Sequence, residues 1–330
     1  LQIVDHELYE SRAIDQQLRS TTITAHRGTI YDRKGNVLAM SATADTVYIS
    51  PVEIAVYGED VELIANGLSE ILGVTSESVI EKASDRTSWY KTIATKIDLD
   101  TAEAVRAFKN EHGLNGIKIE TDTKRYYPGG SLCSHVIGFV GTENSGLSGI
   151  ESYYDSGLTG TDGTVVRAKN SAGTDMLFTN FEDYRDAVSG NDHILTIDSG
   201  LQYYLEKHLK QAVKDYDIQN GAAGIVMDVN TGEILAMASL DDFDLNDYQA
   251  VSDEKMLEIL AEPDVEKRAQ MLTDAQQLQW RNKALSDTYE PGSTFKIITL
   301  AMALEEGAVT TDDTFYCGGS IGVTGRNTPV

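Results

Sequence analysis

The chain has 330 residues, enough for two or more cores, since single domains usually hold about 100–200 residues. A hydrophobic fraction of 41% with only five prolines excludes a disordered chain. Fifty-two acidic against 27 basic residues leave a formal charge of −25, which repels phosphate backbones and anionic lipid headgroups and excludes nucleic acid as a partner.

Near the N-terminus, GTIYDRKGNVLAMS (Gly28–Ser41) sets β-favouring residues on both sides of an Asp-Arg-Lys-Gly-Asn turn and predicts a hairpin. EDVELIANGLSEILGV then places Val61, Ile64, Leu68, Ile71 and Leu72 on one helical face, with Gly73 as its stop. DLDTAEAVRAFKNEHG predicts a second helix, with Asp100 three residues before Glu103 as a capping box, Val105 and Phe108 inward and Gly113 closing it. With IKIE after them, these helices read as a small α+β insertion over about residues 52–120.

Thr159–Gly190 is rich in Gly, Asp, Asn and Ser and reads as a connection between two bodies. HILTIDSG follows as a strand and a helix start, and Leu201, Tyr204, Leu205, Leu209, Ala212, Val213 and Tyr216 form one stripe at helical spacing, which assigns the tyrosines to packing. A second hairpin, GIVMDVNTGEILAMAS (Gly224–Ser239), turns at Asn-Thr-Gly; nothing else recurs, so the two hairpins are independent. Ser252–Ala284 is helix-prone and acidic, interrupted at Pro263, and the second body reads as a mixed sheet flanked by helices. Cys133 and Cys317 match no zinc or redox spacing and the six histidines include no HExxH pair, so no metal or cofactor is assigned.

The segment carrying chemistry is YEPGSTFK, Tyr289–Lys296, running straight into the apolar IITLAMAL. Residues three apart on a helix share a face, so Ser293 and Lys296 point the same way. Pro291 and Gly292 favour a turn before them and leave Ser293 in the first turn, where unpaired N–H groups and the helix dipole favour developing negative charge. The helix from Ile297 to Leu304 is apolar nearly all round and is expected to be buried, which would disfavour the ammonium form of Lys296 and let a neutral amine accept the serine proton. A bare Ser-x-x-Lys is far more often an N-cap serine beside a surface lysine. The Pro-Gly break, the apolar continuation and the flanking Tyr289 and Phe295 shift that balance toward a nucleophile with its own base.

Ser-x-x-Lys is the nucleophile motif of β-lactamases and penicillin-binding proteins, and YEPGSTFK resembles the active-site segment of class B penicillin-binding proteins, the monofunctional cell-wall transpeptidases. RGTIYDRKGNVLA (Arg27–Ala39), KRYYPGGSLCSHVIGFVG (Lys124–Gly141) and GLSGIE (Gly146–Glu151) resemble the family's N-terminal pedestal, and LTIDSGLQ and GAAGIVMDVNTGEILAMAS the opening of its transpeptidase domain. The expected fold is therefore α+β and multidomain: a pedestal over 1–185 with the inserted head, then the first part of a penicillin-binding, β-lactamase-like transpeptidase domain over 186–330. Arg27, Asp32 and Arg33 read as a structural ion-pair cluster, Arg125 as serving the pedestal's fold, and Glu151 as a partner for either arginine without a catalytic role.

The resemblance implies that Ser293 attacks the D-Ala-D-Ala stem peptide of peptidoglycan, with Lys296 as general base, and that an amine of a neighbouring strand resolves the acyl-enzyme. β-Lactams would acylate the same hydroxyl. The implied partners are a polytopic glycan polymerase and other wall-synthesis membrane proteins, in division or sporulation. The implied location is the cell membrane, through a single N-terminal anchor upstream of Leu1, with the catalytic part extracytoplasmic. No run approaches the roughly 20 apolar residues of a bilayer span, no signal peptide is visible, and the non-Met start is expected to reflect a removed upstream segment. No Ser-x-Asn or Lys-Thr-Gly follows the apolar helix, so the expectation is a chain truncated within the transpeptidase domain and inactive as it stands. Two other readings stand beside this one: a β-lactam sensor or hydrolase, which shares Ser-x-x-Lys, and a catalytically inactive scaffold of the wall-synthesis complex.

Overall fold

The computed structural model describes residues 18–168, 182–219 and 221–325, so the first 17 residues, the middle of the expected connection and the last five residues lie outside the described residues. The chain divides into two compact units, one ending at Ser286 and the other starting at Asp287.

In the first unit, β1 (Leu18–Ile23) precedes the expected hairpin of β2 (Ile30–Tyr31) and β3 (Val37–Ile49), in which Ile30 faces Ala39 and Tyr31 faces Val37. Its turn is organised by Asp32, whose Oδ1 accepts from the N–H groups of Lys34 (2.8 Å) and Asn36 (2.9 Å). Asp32 Oδ2 accepts from Asn36 Nδ2 (2.8 Å) and from Ser199 Oγ (2.7 Å), tying the turn to a helix start far along the chain. Burial pushes this carboxyl up, but the hydrogen bonds from Asn36, Ser199 and Lys34 outweigh it and hold its pKa well below the usual carboxylate range.

The chain next builds α1 (Pro51–Tyr57), α2 (Val61–Leu72), α3 (Ser76–Ser84), β4 (Lys91–Ile97), α4 (Leu99–His112) and β5 (Ile117–Tyr126). Helix α2 buries Ile64, Ala65 and Leu68 and stops at Gly73, which adopts φ 68°, as the stripe predicts. Helix α4 is capped by Asp98, which accepts from the N–H of Thr101 (2.8 Å), not by Asp100, which lies inside the first turn. The capping-box reading fails because Asp98 also precedes the apolar run and leaves Leu99 as the first helical residue. Both β4 and β5 pair antiparallel with β3, β5 without interruption from Met40↔Tyr126 to Ile49↔Ile117. Val47, Ile49, Ile64, Leu68, Val79, Val105 and Ile117 make one core. Each fully buried aliphatic side chain stabilises by about 1.5–3 kcal/mol against roughly 1 kcal/mol for a cap, so packing, not capping, decides where these helices sit.

A second core gathers Ile30, Leu38, Ala39, Tyr127, Phe139, Leu158, Ile197, Phe243 and Leu245 around short helices α5 (Ser134–Ile137), α6 (Gly149–Tyr153) and α7 (Asp155–Leu158). Gly138 has φ 73°, and a Cβ there would lie 1.9 Å from the Ser148 carbonyl oxygen, so the close approach of α5 to α6 requires glycine. Where composition predicts a connection, β6 (Gly163–Ala168) pairs antiparallel with β1 and with β7 (Glu182–Arg185) in a three-stranded sheet. The polar composition hides these strands because β6 is ordered by pairing with β1, far away in sequence, and β7 by pairing with β6. Strand β8 (His193–Ile194) runs parallel to β2.

Helix α8 (Ser199–Tyr216) is capped by Asp198 and buries Gln202 and Glu206; of the predicted stripe Leu205, Leu209, Ala212 and Val213 are half-buried, while Leu201, Tyr204 and Tyr216 are 41%, 58% and 78% exposed. Gln202 takes a buried place because it makes the joint to the second expected hairpin, β9 (Ala223–Met227) and β10 (Ile234–Ser239). Its amide donates to the Met237 carbonyl and accepts from the Met237 N–H, both at 2.8 Å, as a neighbouring strand would. Glu206 Oε1 accepts from Gln202 Nε2 and from the Cys133 N–H, each at 2.8 Å, and burial raises its pKa. The acidic segment forms α9 (Asp253–Ala261), α10 (Val265–Trp280) and α11 (Lys283–Ser286), with Pro263 between the first two. Both cysteines are free thiols, Cys133 buried and Cys317 exposed.

The charged residues of the hairpin do not form one cluster. Arg33 reaches Glu233 at 3.4 Å on the surface and Asp32 holds the turn, whereas Arg27, separated from them by β2, turns inward. Arg27 Nε donates to Glu151 Oε2 (2.6 Å), Arg125 Nε donates to Glu151 Oε1 (2.7 Å), and all three side chains are buried. Arg27 also donates to the carbonyls of Glu151 (2.7 Å) and Asn144 (3.2 Å) and to Asp155 Oδ1 (2.7 Å); Arg125 donates to the Gly28 carbonyl (2.8 Å). Glu151 is thus the partner of both arginines.

Two outcomes follow. Glu151→Ala leaves two guanidinium charges buried without their counterion and is expected to destabilise the first unit by about 3–5 kcal/mol, read by urea unfolding through Trp280 in a Trp89→Phe background. Asp32 has a depressed folded pKa, so its contribution is complete above the unfolded value of about 3.9 and is lost as pH falls through the lower folded value. Asp32→Asn is accordingly expected to be less stable than the parent at pH 7, with the gap closing in unfolding titrations carried below about pH 4.

Candidate active site

The second unit is built around the opening of one helix. Gly292 takes φ 55°, a left-handed conformation that suits glycine, and starts a 3₁₀ turn, Gly292–Phe295, that passes directly into α12 (Lys296–Glu305). The Pro291 carbonyl accepts from the N–H (3.3 Å) and the hydroxyl (2.6 Å) of Thr294, and the Lys296 N–H donates to the carbonyls of Ser293 and Thr294. The Pro-Gly break therefore acts as expected, and Ser293 sits in the turn that opens the helix. The tight winding of this turn brings Ser293 and Lys296 to neighbouring positions, but among the described residues no side-chain hydrogen bond joins them.

The expected burial is not found. Ser293 and Lys296 are both exposed, and so are Ile297 (76%), Ile298 (50%), Leu300 (56%), Met302 (55%) and Leu304 (40%). Among its described residues the unit contains the 3₁₀ turn and α12 and no further helix or strand. What this arrangement supplies is geometry: a hydroxyl and an amine at the dipole-positive end of a helix, where developing negative charge is favoured.

Sequence reasoning missed the buried polar residues Gln202, Glu206 and Asn282 of the first unit. Gln202 and Glu206 stand four apart on α8, a spacing that places two polar groups on one face and was readable as such. Asn282, whose Oδ1 accepts from the Ala284 N–H at 3.1 Å, has no such signal.

The first unit carries two hairpins and a small α+β region, and the second a serine followed by a lysine at a helix start. The family model described as the penicillin-binding protein dimerisation domain matches residues 22–195, and the penicillin binding protein transpeptidase domain matches residues 222–326. The chain belongs to the penicillin-binding proteins, in their class B group. It is 35% identical over 328 residues to stage V sporulation protein D of Bacillus subtilis (strain 168), covering 98% of this chain and 46% of that protein. To the peptidoglycan D,D-transpeptidase FtsI of Escherichia coli (strain K12) it is 28% identical over 316 residues, covering 94% and 47%. Penicillin-binding protein PBP2 of Helicobacter pylori, solved in complex with MreC, shares the fold with a TM-score of 0.65 at 22% identity, over 94% of this chain and 57% of that one. The chain spans about half the length of the curated relatives it matches.

Proposed function

We propose that the protein to which this chain belongs crosslinks peptidoglycan as a serine-type DD-transpeptidase, with Ser293 as nucleophile and Lys296 as general base. The observation that carries the reading is the placement of this pair at the start of α12, behind the left-handed Gly292, inside the segment matched by the transpeptidase family model. Ser293 Oγ attacks the carbonyl of the penultimate D-alanine of a stem peptide while Lys296 takes its proton, and the terminal D-alanine leaves as an amine. An amine of a neighbouring strand then displaces the serine oxygen and restores the hydroxyl. A β-lactam acylates the same oxygen through its strained amide.

The exposed apolar surface of α12 supports the view that the lysine becomes desolvated only when more of the domain packs on it, relatives being about twice as long. In the same reading residues 1–185 form the pedestal, about 52–120 its head, and 186–330 belong to the transpeptidase domain. Among the described residues no helix is long and apolar enough to cross a membrane. The proposal places a single anchor ahead of Leu1, the catalytic part outside the cytoplasmic membrane, and a polytopic glycan polymerase beside it. A neighbour solved in complex with MreC supports partners of the wall-synthesis class.

The full-length protein is expected to be labelled covalently by fluorescent penicillin, and Ser293→Ala to abolish the label; labelling that survives the change would reject the assigned nucleophile. Lys296→Ala is expected to slow acylation by roughly 10²–10⁴-fold, the usual contribution of a general base, in stopped-flow acylation kinetics.

A further inference from the structure

Strands β3 and β5 form one long ribbon that serves both cores of the first unit. Its far end contributes Val47, Ile49 and Ile117 to the head core, and its near end Leu38, Ala39 and Tyr127 to the other. Between them lies a waist belonging to neither core, where Asp45, Thr46, Thr123 and Arg125 are buried and polar. A cavity of about 340 Å³, lined by Ile23, Thr24, His26, Thr43, Glu120 and Asp122, opens beside it. The ribbon is therefore backed by space where it passes from one core to the other.

At this waist β4 carries a bulge. Val47 faces Ala94 and Asp45 faces Ile97, so Thr95 and Lys96 together oppose Thr46 alone, and Lys96 is driven to φ 55°. A lysine in the left-handed region is strained and persists only where its surroundings fix it, and a bulge re-aims a side chain. Here the bulge sends Lys96 Nζ to Asn144 Oδ1 at 2.6 Å, across the waist from the head to the pedestal loop. Asn144 is itself left-handed (φ 58°) and fully engaged: its Nδ2 donates to Thr123 Oγ1 (3.0 Å) and its carbonyl accepts from Arg27 Nη1 (3.2 Å). The Lys96 N–H completes the joint on Thr46 Oγ1, which donates to Asp122 Oδ2.

We infer that Lys96 and Asn144 form a latch that holds the head at a fixed angle on the pedestal, and that opening it lets the β3–β5 ribbon bend at its waist. The latch is made to open: the amine is half-buried, and its acceptor is a neutral amide, weaker than a carboxylate. Because Asn144 also holds Arg27, the state of the latch reaches the buried Arg27–Glu151 pair, so the head and the pedestal interior are mechanically linked.

The test uses the full-length protein with Cys317→Ser and spin labels at Glu77→Cys on the head and Tyr153→Cys on the pedestal, both exposed positions, with distances read by double electron–electron resonance. Lys96→Gly relieves the backbone strain and deletes the amine. It is expected to melt at or above the parent temperature while at least doubling the width of the distance distribution. Lys96→Arg, which keeps a cationic donor for Asn144 Oδ1, is expected to stay close to the parent. An unchanged width in Lys96→Gly, or broadening in Lys96→Arg equal to that in Lys96→Gly, overturns the latch. Should Lys96→Gly fail to fold, Lys96→Met is read by the same criteria.

Discussion

The fold of the first unit depends on one buried carboxylate. Glu151 has no exposure and is held by two guanidinium groups, Arg27 and Arg125, that lie far from it and from each other in the chain. A charge removed from water is tolerated when it is paired and hydrogen-bonded; of the three side chains, Arg125 Nη2 is buried without a hydrogen-bond partner among the described residues. These three side chains must therefore arrive together, and in doing so they fix the backbone carbonyls of Gly28, Asn144 and Glu151. Apolar contacts tolerate sliding by a residue; a carboxylate whose two oxygens are each held by a different guanidinium does not. The pair of arginines accordingly sets the register of the N-terminal stretch against α6 and β5, which hydrophobic burial alone would leave loosely specified.

The same principle recurs at the other joints. Asp32 ties the β2–β3 turn to the start of α8 through Ser199, Gln202 completes the hydrogen bonding of β10 at Met237, and Glu206 receives the Cys133 N–H that opens α5. Each joint is a short polar side chain satisfied on both sides, set between elements whose apolar faces supply the bulk stability. Glu206 marks the limit of the device: its burial raises its pKa against the hydrogen bonds from Gln202 and Cys133, whereas the donors around Asp32 outweigh burial and lower its pKa.

How much of this was legible in the sequence depends on how local each cause is. Both hairpins, the α2 stripe ending at Gly73 and the break at Pro263 follow from spacing and turn chemistry within a few residues, and the structure contains them. The partnership of Glu151 with the arginines was readable as charge complementarity, but its burial was not, since burial is a property of the whole fold. Strand β6 was hidden because its partner β1 is remote, β7 because it pairs only with β6, and the burial of Gln202 because a stripe analysis assigns glutamine to solvent. The capping error at α4 arose from two acidic residues competing for one position.

The serine–lysine pair separates the two kinds of information most clearly. The position of Ser293 is encoded locally, by a proline and a left-handed glycine that force a tight turn into an apolar helix, and every piece of that encoding lies within eight residues of sequence. The reactivity proposed for it would not be local. A lysine amine becomes a base when burial removes water from it, and that takes side chains from elsewhere in a fold. The helix advertises this dependence: a surface carrying Ile297, Ile298, Leu300 and Met302 is stable when covered and unfavourable in water. Position and proposed activation thus have different physical sources, one written in eight residues and the other in whatever covers the apolar face of α12.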